Sequence, residues 1–117
     1  NKQYSSGGHF LSGEYEMAIL VNGGSASASE IVAGALQEHG RAKLVGTQTY
    51  GKGSVQELIK MKDDTALKLT VAEWLTPGGL SISKEGLTPD VVIELDADKL
   101  EKNGIDTQLE EAIKILK

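Results

Sequence analysis

Ser27 and Lys52 are the residues whose type and setting offer the clearest route to chemistry. The serine sits in Ser25-Ala26-Ser27-Ala28-Ser29-Glu30, between a short apolar run and an amphipathic stretch. At a strand-to-helix turn a serine Oγ can be aimed outward. Backbone N–H groups and the positive helix end then face the oxyanion formed when it attacks a carbonyl. The same residue also reads as a helix cap, because Ser27 followed three residues later by Glu30 is a capping box worth about 1 kcal/mol. Both readings need one geometry. A hydroxyl is a poor nucleophile without a neighbouring base, and His9 and His39 are the two histidines. His39 falls three helical turns from Ser27, about 18 Å along the axis, and beside Gly40 it reads as a partner of the helix C-terminal dipole. His9 lies in the entering loop without an evident Asp partner, so a Ser-His-Asp triad is not expected.

The other candidate base lies in Tyr50-Gly51-Lys52-Gly53-Ser54-Val55-Gln56. Flanking glycines open backbone conformations closed to other residues, so the lysine can be aimed inward from a tight loop; the plain alternative is a solvated lysine in a flexible turn. A lysine serves as a base near neutrality only where its ammonium is destabilised by about 4 to 5 kcal/mol, which burial beside apolar walls can supply. Gln56, being neutral, can orient such an amine without adding a negative charge. A third reading notes that Gly46-Thr47-Gln48-Thr49-Tyr50-Gly51-Lys52 matches the first seven positions of a phosphate-binding P-loop. That motif stops at Gly53, where a metal-binding hydroxyl belongs, and the residues from Ser54 onward read as strand rather than helix.

These residues must be positioned by a small set of elements. Met17-Ala18-Ile19-Leu20-Val21, followed by Asn22-Gly23-Gly24, reads as a central parallel strand buried on both faces. Ala28 to His39 carries Ala28, Ile31, Val32, Ala35 and Leu36 at helical spacing and ends at Gly40. With Ala42 to Gly46 as a second strand, the order is βαβ, a right-handed parallel crossover. Ser54 to Lys62 and Thr65 to Leu75 read as a hairpin reversing at Asp63-Asp64. Thr76-Pro77-Gly78-Gly79 and Gly86-Leu87-Thr88-Pro89-Asp90 are turn clusters, and Val91 to Leu95 is a last strand. A final helix starts near Asp106 or Thr107, with Leu109, Ile113 and Leu116 on one stripe. Asn1 to Gly13 reads as a loop entering from elsewhere. The class is α/β.

With 117 residues and 39% hydrophobic content the chain fits one domain, its core aliphatic. A net charge of −5 without a Lys/Arg cluster disfavours nucleic acid as a partner. No apolar run approaches the ~20 residues of a spanning helix, and the first residues lack signal-peptide order, so the chain as given reads as soluble. The absence of cysteine excludes disulfides and thiolate sites.

Together these segments resemble the carboxyl-terminal processing, or tail-specific, serine peptidases. Val21 to Ile31 is similar to the family's nucleophile motif and Gly51 to Gln56 to its base motif, 25 residues apart from Ser27 to Lys52; Thr76-Pro77-x-Gly79 and Gly86-x-x-Pro89-Asp90 resemble its turns. The resemblance implies a Ser-Lys dyad: Ser27 as nucleophile, Lys52 as general base, Gln56 orienting it, and the Ala28 N–H as one oxyanion donor. It implies a crotonase-like fold of stacked ββα units, with residues 1–117 forming the C-terminal part of the catalytic domain. An upstream Asp-Leu-Arg-x-Asn-x-Gly-Gly motif, which holds the second oxyanion donor, is expected outside these residues, and the PDZ domain that many members of the family carry is not among them. It further implies cleavage of proteins near nonpolar C-terminal tails, no metal or other cofactor, a possible homo-oligomer, and a periplasmic, cell-envelope or extracellular location. The competing expectation is a noncatalytic peptide-binding fragment or domain of the same fold.

Overall fold

The computed structural model describes residues 7–8, 15–61, 65–83 and 85–117. Most of the entering loop and the Asp63-Asp64 reversal lie outside them. The chain runs through β1 (Ala18–Val21), α1 (Ala28–Glu38), β2 (Lys43–Gly46), β3 (Ser54–Lys60), β4 (Ala66–Glu73), β5 (Val91–Val92), α2 (Ala97–Asn103) and α3 (Thr107–Ile115).

A parallel sheet of order β1-β2-β5 carries the βαβ unit, pairing Ala18 with Lys43 through Val21 with Gly46 and Val45 with Val91. The strand buried on both faces is therefore β2, not β1 as the apolar run suggested. Successive strand residues face opposite sides, and Leu44 and Val45 are both fully buried. β1 lies at the sheet edge among the described residues, with Leu20 43% exposed. On the Leu44 side, Val21, Ala33, Leu44, Ile82 and Leu87 form the core, with Ile19 and Ile31 against it. α3 packs against β1 and β2.

Local signals explain most element ends. Asp106 caps α3 by accepting from the Gln108 and Leu109 N–H groups at 3.0 Å each. The α3 face is centred on buried Ala112, while Leu109, Ile113 and Leu116 are 41–45% exposed and flank it rather than forming the buried stripe. Asp90 fastens the second turn cluster to the sheet, because its Oδ2 accepts from the Leu44 N–H at 2.8 Å and from Gln37 Nε2 at 3.1 Å. The hairpin forms as expected, β3 antiparallel to β4, with a register shift between Val55 and Gln56. From Gln56 onward both strands are exposed on both faces.

Candidate active site

β1 ends in a hydrogen-bonded turn: the Ser25 N–H donates to the Asn22 carbonyl at 2.8 Å, and the Gly24 N–H donates to Asn22 Oδ1 at 2.9 Å. The chain then reaches Ser27, whose φ of 54° makes it the one non-glycine residue with positive φ among the described residues. Such a conformation is strained for an L residue and persists only where surroundings hold it. Ser27 is the N-cap of α1 and makes the return half of a capping box with Glu30, whose carboxylate accepts from the Ser27 N–H, while the Ser27 hydroxyl makes no side-chain cap hydrogen bond. The Glu30 N–H donates instead to the Ser27 carbonyl at 3.0 Å. Ala28, the first residue of α1, contributes an N–H that has no intrahelical acceptor.

Glu30 does far more than complete a cap. It is fully buried, and its Oε1 accepts from Thr49 Oγ1 at 2.6 Å and the Gly51 N–H at 2.7 Å. Its Oε2 accepts from the Ser27 and Lys52 N–H groups, each at 3.0 Å. Two nitrogens sharing one oxygen in this way are less than about 6 Å apart, within ordinary hydrogen-bond geometry. A further bond, from the Tyr50 N–H to the Ser25 carbonyl at 2.9 Å, ties the lysine loop to the serine turn. Gly51, at φ 86°, supplies the left-handed bend that turns two successive N–H groups onto the carboxylate.

This cradle also disposes of the phosphate-binding reading. The N–H groups of Gly51 and Lys52, which a P-loop would offer to phosphate, are occupied by the Glu30 carboxylate, and strand β3 stands where a P-loop needs a helix.

Burial pushes the Glu30 carboxyl up, but the bonds from the Thr49 hydroxyl and the Gly51, Lys52 and Ser27 N–H groups outweigh it and hold it below the ordinary value of 4.5. A depressed folded-state value means that this stabilisation is complete above the unfolded value and is lost as pH falls through the folded one. The melting temperature of Glu30→Gln should therefore lie below that of the parent at neutral pH, and the gap should close as pH falls from the ordinary value of 4.5 through the lower folded-state one. Thermal melts across that range check it; a constant gap would mean that the carboxylate charge is not what the cradle binds.

Lys52, two residues before β3, lines an open hollow of about 570 Å³ with Ser54 and Gln56 of that strand and with Gly23, Gly24 and Ala26 of the serine turn. The register shift opposite Val55 and Gln56 falls on β4, where Val71 is unpaired, so β3 itself keeps its alternation. The structure thus brings Lys52 and Gln56 together beside the turn that carries Ser27. Among the described residues no hydrogen bond joins the Ser27 hydroxyl, the Lys52 amine and the Gln56 amide, a looseness common in substrate-free sites. Lys52 is exposed rather than buried against apolar walls as expected. Sequence reasoning missed Lys68, which lines the same hollow from β4; with Gln56 opposite Thr70, alternation places Lys68 on the Gln56 face. His39 lies exposed at the C-cap of α1, and His9 lies outside the described residues. Among the described residues no group of His, Asp and Glu is placed to hold a metal, and no helix is long and apolar enough to cross a membrane.

Comparison with known proteins adds the family context. Residues 1–93 match peptidase family S41. A carboxy-terminal-processing protease of Bartonella bacilliformis is 57% identical over 84 residues, which are 72% of this chain and 19% of that protein. Carboxyl-terminal-processing peptidase 3, chloroplastic, of Arabidopsis thaliana is 45% identical over 102 residues, 82% of this chain and 20% of its own length. Among solved structures, a photosystem II D1 C-terminal processing protease superposes with a TM-score of 0.58 at 40% identity, covering 83% of this chain and 23% of that one. The tricorn protease superposes with a TM-score of 0.71 at 28% identity, covering 86% and 10%. The chain spans about a fifth of the length of these two curated relatives.

Proposed function

This chain belongs to peptidase family S41, and from that premise we propose that it is the nucleophile-bearing, C-terminal part of the catalytic domain of a serine endopeptidase that cleaves proteins near nonpolar C-terminal tails through a Ser-Lys dyad. The names of the relatives, carboxyl-terminal-processing proteases, support the substrate class. The observation that carries the residue roles is the strained Ser27 at the start of α1, bound through its N–H to the same Glu30 oxygen that holds the Lys52 N–H. The α/β order of elements supports a crotonase-like core.

In this reading an unprotonated Lys52 Nζ takes the proton from Ser27 Oγ as that oxygen attacks the scissile carbonyl. The negative charge developing on the carbonyl oxygen is met by the Ala28 N–H and the positive end of α1. Collapse of the tetrahedral adduct breaks the C–N bond, and the Lys52 ammonium returns its proton to the departing amine. Water, deprotonated in turn by Lys52, then hydrolyses the acyl-serine. Gln56 orients the amine without adding charge. Lys52 is exposed, so the desolvation it needs is assigned to the substrate chain that fills the hollow. An envelope or exported location and a homo-oligomer belong to the same proposal.

The test compares this chain with the longer protein on one unfolded substrate with an apolar tail, using Ser27→Ala as blank. The Asp-Leu-Arg-x-Asn-x-Gly-Gly motif, proposed to hold the second oxyanion donor, does not occur in these 117 residues. Loss of one such donor typically costs ~10²–10³ in turnover. The longer protein should cleave readily and the 117 residues at least about 10²-fold more slowly. Comparable rates would show a complete oxyanion hole without that motif. Binding of the substrate by the longer protein without cleavage would favour the noncatalytic reading.

A further inference from the structure

A capping glutamate needs one donor, on its own helix, and serves at the protein surface. Glu30 is fully buried and takes four donors, three of them from residues 49–52 beyond the end of α1. Burying a carboxylate is costly unless its lone pairs are satisfied, and no ion pair with a cation offsets that cost among the described residues. The donors are also selective in place. Oε2 binds the backbones of the two residues assigned to the dyad, and Oε1 holds the loop that leads into the second of them. Ser27 meanwhile sits at a φ that needs holding.

We propose that Glu30 is a positioning residue for catalysis, whose carboxylate clamps the backbones of Ser27 and Lys52 at a fixed separation and thereby sets the distance from nucleophile to base. The inference rests on the dyad reading above. It assigns Glu30 no contact with substrate and no proton transfer. Because the clamp is a bridging oxygen, it depends on charge and length together. Glu30→Gln turns one oxygen into an NH₂ that can only donate, so either the Ser27 and Lys52 N–H groups or the Thr49 hydroxyl and Gly51 N–H lose their shared acceptor. Glu30→Asp keeps the charge but shortens the reach by one bond, about 1.5 Å. A misplacement of about 1 Å between reacting groups can cost about 10²-fold in rate.

The experiment uses the longer, active protein and measures kcat, KM, melting temperature and the rate at which a fluorophosphonate probe labels Ser27. Glu30→Gln and Glu30→Asp should each lower kcat by about 10²-fold, slow labelling in parallel, and leave KM within about threefold, because the ground-state contacts of the substrate are untouched. Ala112→Gly, in α3 and away from the hollow, serves as a control that lowers the melting temperature without altering the clamp. Glu30 variants that retain turnover within about threefold of the parent, or that lose no more turnover than Ala112→Gly at equal loss of melting temperature, would reduce Glu30 to a structural residue. If either Glu30 variant fails to fold, the other decides, since their defects in charge and length are independent. Ser27→Ala and Lys52→Ala measured alongside separate the two proposals. If those remain active the dyad reading fails, whereas if they are inactive and the Glu30 variants are normal only the clamp fails.

Discussion

Ser27→Ala, Lys52→Ala and Lys52→Arg, each made in the longer protein, should lower kcat by on the order of 10⁴ to 10⁶, and the Ser27→Ala/Lys52→Ala double variant should be scarcely worse than either single one. The reason is that the two side chains act in one step. Without the serine there is no atom to attack, and without the amine the serine keeps its proton. Arginine is the most informative replacement, because it keeps the positive charge and much of the length of lysine but does not give up its proton at any working pH. Loss of activity in Lys52→Arg therefore separates a proton acceptor from a cation that merely binds substrate. Steady-state assays with protein shown to be folded check it. Retained turnover in Lys52→Arg would exclude the lysine as base and leave it as a binding residue in the hollow with Lys68.

The second large effect is expected at Gly46→Ala. Gly46 closes β2 at φ 134° opposite Val21, and a Cβ built there would stand 2.0 Å from the Val21 carbonyl oxygen. No side chain can yield to relieve that contact, because both partners are main chain in the same parallel rung. The Val21 carbonyl also accepts from the Thr47 N–H, and the Gly46 carbonyl accepts from the Ile93 N–H, so separating the strands strikes both neighbours of β2. The cost should be roughly 3 to 5 kcal/mol, combining a strained φ with a displaced rung, or a fall of roughly 10 to 20 °C in melting temperature. Turnover should fall with it, since Val21 leads directly into the Asn22–Ser27 turn. A circular-dichroism melt within about 3 °C of the parent would show that the rung accommodates a methyl group after all.

What the sequence made legible was whatever its local pattern encodes. The helical spacing from Ala28 to Leu36, the cap at Asp106 and the alternation of the hairpin each arise from contacts within an element or between adjacent ones. Strand order does not arise that way. Met17 to Val21 has the stronger apolar run, yet Leu44 and Val45 are the residues enclosed on both faces, because β2 is the middle strand, paired to β5 from 46 residues further on (Val45 with Val91), and both α1 and α3 pack on it. α2 escaped because it buries no residue and shows no stripe, although Asp96 as N-cap and left-handed Gly104 marked both of its ends. Glu30 was legible as a cap and illegible as a clamp, since three of its donors lie 19 to 22 residues away. Lys68 required the hairpin register, and the exposure of Lys52 required the whole surface.

The bonds between Glu30 and residues 49–52 also bear on how the site comes into being. The bonds that tie the serine turn directly to the lysine loop lie in one uninterrupted stretch from Asn22 to Gln56, while residues 85–88 and Trp74 brace that loop from outside it. The loop closed by the carboxylate is short, and closure entropy rises by only about 0.6 kcal/mol for each doubling of loop length. Little chain entropy is therefore lost in assembling these residues once β1, α1 and β2 have come together, and neither the hairpin tip nor the C-terminal helices lie within the loop that has to close. In genetic terms, nucleophile, proposed base and clamp travel as one cassette, so an insertion or deletion between residues 31 and 48 would change their spacing in a single event, whereas changes of length beyond residue 60 leave that spacing intact.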